Sequence, residues 1–145
     1  MIALIQRVLE AEVRIDGELT AAIREGLLGL IGVRPADTEA HATRLIERIL
    51  QYRVFDDAAG RMNRSLTDVG GGLLLVPQFT LAADTHKGTR PGFSTAAPPD
   101  LARRLFEFAV EAARTRHPQV AQGVFGADMQ VSLINDGPVT IWLES

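Results

Sequence analysis

The chain has 145 residues, 46% of them hydrophobic, no cysteine and a formal net charge of −3. That length bounds one domain, 1–145, with a single real core. The missing cysteines exclude a disulfide framework and thiolate chemistry and suit a reducing cytoplasm. The acidic balance argues against wrapping a long nucleic-acid backbone, but not against gripping a nucleic-acid end with a few local cations. No apolar run reaches the roughly 18 residues of a membrane span, and no basic stretch precedes an apolar run as in a secretory signal.

Residues 2–8 are apolar and β-branched and read as a strand. Ala11 to Ile15 alternates, Asp16-Gly17 marks a turn, and Leu19 to Ile23 reads as the partner strand. Leu27 to Val33 is nearly continuous in apolar residues, the pattern of a strand buried on both faces. Asp37 is a good helix N-cap. Ala42, Leu45, Ile46, Ile49 and Leu50 then fall at helical spacing, which predicts a helix from about Thr38 to Tyr52 whose other face, with Glu39, Arg44 and Glu47, is solvated.

Arg53 to Phe55 reads as a short strand, residues 56–60 as a turn, and Met62 to Leu66 as a return. Gly70-Gly71-Gly72 lacks the Lys-Ser/Thr of a phosphate loop and precedes a strand, Leu73 to Val76, so it reads as a turn. Gln78 to Ala83 emerges from that strand, placing Thr80 near its end. Asp84 to Ala97 is a long loop carrying His86, Lys87, Arg90 and Phe93; loops this long are usually functional or mobile. Pro98-Pro99-Asp100 opens a second helix, with Leu101, Leu105, Phe108, Ala109 and Ala112 as its buried stripe and Arg103, Arg104, Arg114 and Arg116 on or just beyond it. Val120 to Phe125 is a short strand.

Two alternating runs close the chain, Met129 to Leu133 and Val139 to Leu143, with Asn135-Asp136-Gly137-Pro138 between them. Asp-Gly between such runs signals a hairpin. Pro138, however, has no N–H with which to close a two-residue turn. A turn with a cis proline fits the letters, as does a loop with a trans proline opening an edge strand. The strands cluster with hairpin-like joints, which predicts an α/β fold: mixed, curved β-sheet layers, barrel-like, with two main helices packed on one side.

The residues that mark familiar chemistries are missing. His41, His86 and His117 are far apart, show no metal-ligand spacing and read as surface residues. There is no Gly-x-Ser-x-Gly elbow and no dinucleotide fingerprint. Thr80 by itself needs no explanation beyond the strand preference of a β-branched side chain.

Five segments together carry a resemblance. Asn135-Asp136-Gly137-Pro138-Val139-Thr140 resembles the Gly-cisPro motif of the D-aminoacyl-tRNA deacylases, and Gln78-Phe79-Thr80-Leu81 resembles their second signature. Met1 to Val8, Lys87 to Phe93 and Phe125 to Met129 are similar to the same family in the same order, so the resemblance spans the chain. One position departs. The family usually has Ser before Gln-Phe-Thr-Leu and this chain has Pro77; a related branch of tRNA deacylases carries a proline there too, with an altered residue later in the motif, and the change removes the serine hydroxyl from that point.

The resemblance implies a homodimeric, cytoplasmic carboxylic ester hydrolase that needs no metal or organic cofactor. Its substrate is a tRNA acceptor end carrying a D-amino acid or glycine. Gln78, Phe79 and Thr80 become the ester-cleaving pocket, with the N–H groups of Phe79 and Thr80 as oxyanion donors. Thr80 is either a positioning group or a nucleophile, and the 2′-hydroxyl of the terminal adenosine takes part. Gly137 and Pro138 reach into the partner's pocket, hold the α-amino group and block an L side chain, and Arg7 supports that loop. Phe125 and Met129 line the adenosine side, although apolar residues on strands more often simply pack. Lys87, Arg90 and the second helix's arginines are candidate phosphate contacts. Two alternatives stay open: a non-catalytic aminoacyl-tRNA or RNA-end binding module, and a deacylase of relaxed chirality.

Overall fold

A computed structural model describes all 145 residues. One long strand organises it: β1 (Ile2–Ile15), flanked along its length by three others. Its first half pairs antiparallel with β3 (Gly26–Gly32) and its second half with β2 (Glu18–Ile23), both on the same edge. Beyond β3 the sheet turns parallel, through β6 (Gly72–Pro77) to β7 (Val120–Gln122). A small ribbon, β4 (Phe55–Asp56) with β5 (Met62–Arg64), stands apart. Because β2 curls back towards β6 and β7, the mixed sheet is a nearly closed barrel.

Alternation along the central strands serves two cores. Leu27, Ile31, Leu73 and Leu75 face a large cluster shared with the helices, whereas Leu28, Leu74, Val76, Val8 and Val13 fill the barrel's other side. This two-sided burial is what the continuous apolar run 27–33 encodes. Helices α1 (Glu39–Gln51) and α3 (Pro99–Arg114) pack against each other on the first face, as expected. The α1 stripe is the expected one. In α3 the fully buried ring is Phe106, and Phe108 is only half-buried, because the helix's inward stripe lies a little off the expected one. No helix is long and apolar enough to cross a membrane.

Several expectations are corrected. The α1 N-cap is Thr38. Asp37 instead accepts from the Met1 ammonium at 2.7 Å and the Arg34 N–H at 2.6 Å, a stronger claim on a carboxylate than a cap. A short helix, α2 (Leu66–Val69), follows β5, capped by reciprocal Ser65 and Asp68 bonds and ended by Gly70 in the left-handed region. The adjoining glycines are there for packing: a Cβ on Gly26 would sit 1.9 Å from the Gly72 carbonyl oxygen. His117 is buried, not on the surface, with Nε2 2.6 Å from the Gly71 carbonyl oxygen that it bonds.

The largest correction concerns the C-terminus. The two alternating runs do not fold back on each other. They are one strand, β8 (Gln130–Glu144), antiparallel to β1 throughout. Val131 lies opposite Val13 and Ile141 opposite Ile5, but between the pairs Val8–Asn135 and Gln6–Thr140 the residues Asp136 to Val139 face Arg7 alone. The excess chain loops out as a bulge, a place in a strand where a residue without an N–H costs no ladder bond. The Gly137–Pro138 peptide in it is cis, so the trans-proline reading fails as well.

Candidate active site

Two regions carry the residues singled out in the sequence, and within one chain they are separate. The first is a cleft of about 490 Å³ at the ends of β6 and β7. One wall is Val76, Pro77, Gln78 and Phe79; the other is Phe125, Gly126, Ala127, Met129 and Val131; Ala97, Pro99 and Ala102 from the start of α3 close the back. None of these side chains titrates.

Local sequence sets each wall. After Pro77 the chain leaves the sheet: Gln78 donates its N–H to the Ile31 carbonyl at 2.7 Å, and Phe79–Ala82 winds into a single 3-10 turn. Thr80 is therefore on an exposed turn and not at a strand end. The turn's own bonds begin at Leu81, which donates to the Gln78 carbonyl at 3.3 Å. The N–H groups of Phe79 and Thr80, first in the turn, have no carbonyl one turn back to bond. The Gln78 side-chain amide donates to Thr80 Oγ1.

Pro77 sits beyond the last β6–β7 pair, Leu75–Gln122, with its Cδ facing Gly123. The proline ring there forms part of the cleft wall. Opposite, Gly123 makes room for Met129: a Cβ at Gly123 would lie 2.8 Å from the Met129 sulfur, which accepts the Val124 N–H at 3.4 Å. Phe125 lies under the Arg103 guanidinium, 4.9 Å from its ring centroid. Arg104, Arg114 and Arg116 pair with Glu39, Glu111 and Glu47, which leaves Arg103 the one of these four without a carboxylate.

The second region is the β8 bulge. Gly137 and Pro138 are exposed, and Gly137 takes φ of +136°, which suits only glycine. Arg7 stands behind them with its side chain only 11% exposed. It donates Nε to the Asp136 carbonyl at 3.0 Å and an Nη to the Val54 carbonyl at 2.6 Å, and pairs with the carboxylates of Asp136 and Asp56 at 3.3 and 3.7 Å. Asn135 braces the bulge's neck. Its side-chain oxygen accepts the Val139 N–H at 2.9 Å and its amide donates to Thr140 Oγ1 at 3.0 Å.

The structure thus brings Gln78, Phe79, Phe125 and Met129 to one cleft with Thr80 beside it, and Arg7, Gly137 and Pro138 to one loop that does not line that cleft. Asn135, Val54 and the α3 residues were not foreseen. Only Asn135 had a local signal, as a side chain that bonds nearby backbone. Three carboxyls are held below the ordinary range: Asp57 mainly by the Arg61 N–H, Asp68 by the Ser65 N–H and Glu144 by Arg34. None of the three lines the cleft.

The family described as D-Tyr-tRNA(Tyr) deacylase matches residues 4–144. The chain belongs to this family. It is 65% identical over 144 residues to the D-aminoacyl-tRNA deacylase of Thioalkalivibrio sulfidiphilus (strain HL-EbGR7), covering 99% of this chain and 97% of that one. Among solved structures it is similar to the c-Myc DNA unwinding element binding protein, with TM-score 0.96, 38% identity and 100% and 99% of the two chains covered. A probable eukaryotic D-amino acid tRNA deacylase shares the fold at 14% identity, with TM-score 0.86 and 99% and 98% covered.

Proposed function

We propose that the cleft and the Gly137–Pro138 loop are two halves of one site, completed when two copies of the chain associate about a two-fold axis. As a deacylase of this family the chain hydrolyses D-aminoacyl-tRNA to a free D-amino acid and tRNA. The proposal concerns how it does so and how it spares L-aminoacyl-tRNA.

The observation that carries the reading is a cleft lined without a titratable side chain. Such a pocket has no acid or base to offer, so it suits a bond that needs little of either. The ester of an amino acid on a ribose hydroxyl is such a bond, activated by the neighbouring hydroxyl and the α-ammonium. What remains is to place water and stabilise the oxyanion of the tetrahedral intermediate. The N–H groups of Phe79 and Thr80 are suited to that, one such donor being worth about 2.7–4 kcal/mol. Thr80 Oγ1 has the Gln78 amide as its hydrogen-bond partner, and an amide takes no proton. We therefore assign Thr80 to positioning. Phe125 and Met129 take the adenosine side, and the ribose 2′-hydroxyl assists.

Chirality is the harder task. D- and L-residues exchange hydrogen and side chain about Cα, and attraction separates such isomers poorly, one methylene being worth only about 1–3 kcal/mol. A stiff wall where the L side chain would point rejects by clash. Main chain clamped by a mostly covered arginine is such a wall. The Gly137 and Pro138 carbonyls hold the α-amino group there. Glycine presents no side chain and passes, and a D side chain points outward, so its identity matters little.

Two features favour association. The outer edge of β8, a 15-residue strand, is unpaired, and an edge that long is normally covered. Ile134 and Trp142 on it are 49% and 48% exposed. An isologous pair of such edges would present each bulge to the other chain. The reaction belongs in the cytoplasm, where tRNA is charged.

Incubation with matched D- and L-tyrosyl-tRNA tests the reading: rapid loss of the D ester alone is expected. Loss of both would mean that Pro77 has reshaped the pocket and relaxed chirality. Binding with no loss would favour a nucleic-acid-end binding module, the reading that the 38%-identical unwinding-element protein's name favours.

A further inference from the structure

Beside the cleft lies a feature that ester cleavage does not use. The Phe79 and Phe93 rings pack with centroids 5.0 Å apart and planes inclined at 53°, yet they remain 53% and 44% exposed. Phe79 is also cleft wall, so the pair continues that wall out onto the surface.

Phe93 is held in place. Asp84 and Gly92 exchange backbone bonds of 2.8 and 2.9 Å at the neck of the long loop, Ala96 donates to the Phe93 carbonyl at 3.1 Å, and Thr95 Oγ1 donates to the Ala82 carbonyl at 2.5 Å. The neck closes residues 85–91 into a loop that leads directly into Phe93, and they include Lys87 and Arg90, both exposed. Neither makes a hydrogen bond or ion pair within the chain, unlike Arg104, Arg114 and Arg116 of α3. The loop's only carboxylate, Asp84, is at the neck with Oδ1 taken by the His86 N–H at 3.0 Å.

Exposed flat rings beside uncompensated cations, on a chain of net charge −3, are the composition of a single-strand track: rings stack bases and cations follow phosphates. We propose that Phe93 with Phe79, and Lys87 with Arg90, dock the single-stranded 3′ segment of tRNA just inside the terminal nucleotide. A base stacks on the Phe93 face and the two cations take the adjoining phosphates. This rests on the reading of the cleft as the ester site, and it adds a recognition element for the RNA leading to that ester.

The test compares D-tyrosyl-tRNA with the D-tyrosyl ester of adenosine, which offers the same bond without the leading RNA. Phe93→Leu keeps apolar volume and removes the flat face. It should lower kcat/KM on the tRNA roughly five- to 150-fold, the range of one lost stack, and leave the adenosine ester within about twofold. Lys87→Gln with Arg90→Gln should flatten the salt dependence of binding of an uncharged tRNA 3′-terminal oligonucleotide, by about 1.4 in the slope of log K against log salt.

An equal fall on both esters, no fall on either, or variants sedimenting as monomers where the parent is a dimer would each overturn the track. If the parent cleaves neither ester, the oligonucleotide decides alone: binding that depends on Phe93 keeps the track and rejects the ester site, and binding indifferent to Phe93 rejects the track.

Discussion

The cleft and the bulge of β8 solve opposite problems. The cleft is concave, apolar and without titratable groups, assembled from the ends of β6 and β7 and the start of α3. The bulge is exposed, with one mostly covered guanidinium behind it holding two carbonyls and pairing two carboxylates. A labile ester needs only a few donors in the right place, which strand ends supply. Handedness needs a surface that does not yield, and that takes the polar machinery. The cost of precision in this molecule therefore falls on the loop and not on the pocket.

The comparison breaks most sharply at Gly137. Its φ of +136° suits only glycine, and an added Cβ would lie 2.8 Å from Val139 Cγ2 and 3.0 Å from the Val139 nitrogen. Gly137→Ala should shift the loop main chain and cut D-specific kcat/KM roughly a hundredfold, the cost of a displacement near 1 Å at a site. The melting transition should fall by only about 2–8 °C, because the exposed loop can give; a larger fall in melting temperature with intact selectivity would reverse the assignment.

Arg7→Met comes next. It orphans the Asp136 and Val54 carbonyls, and since the partner carboxylates are half exposed the loss should be about 2 kcal/mol. A lower urea midpoint and a narrower D/L ratio should appear together. Thr80→Ala sharpens the cleft side and should be milder, roughly a two- to tenfold loss of turnover as one neutral hydrogen bond goes. Complete loss with binding intact would make Thr80 the nucleophile.

How far the sequence could be read depended on how local the determinant was. The α1 stripe from Ala42 to Leu50 and the two-sided burial of Leu27 to Ile31 are periodicities of a few residues, and both stand. The β8 bulge was misread as a hairpin because alternation on either side of Asp136-Gly137 is the same whether the second run folds back or continues. What decides is register against β1, some 130 residues away, with Val8 opposite Asn135 and Gln6 opposite Thr140. The back of the cleft was invisible for the same reason: nothing near Ala102 in the chain says that it will share a cleft with Pro77. Thr80 reads as a strand end because the 3-10 turn begins only two residues past Pro77, where β-branched and apolar letters still suit a strand.

The central claim is that one chain's cleft is completed by the other chain's loop, and mixed dimers test it most directly. One chain carries Ala127→Trp, which fills the cleft, and the other carries Gly137→Ala; each homodimer should be nearly inactive on D-tyrosyl-tRNA. In the mixed dimer an intact cleft meets an intact loop at one of the two sites, so about half the parent activity should return, with D-selectivity. A mixed dimer as inactive as its parents would show that each loop serves its own cleft, and would contradict the account.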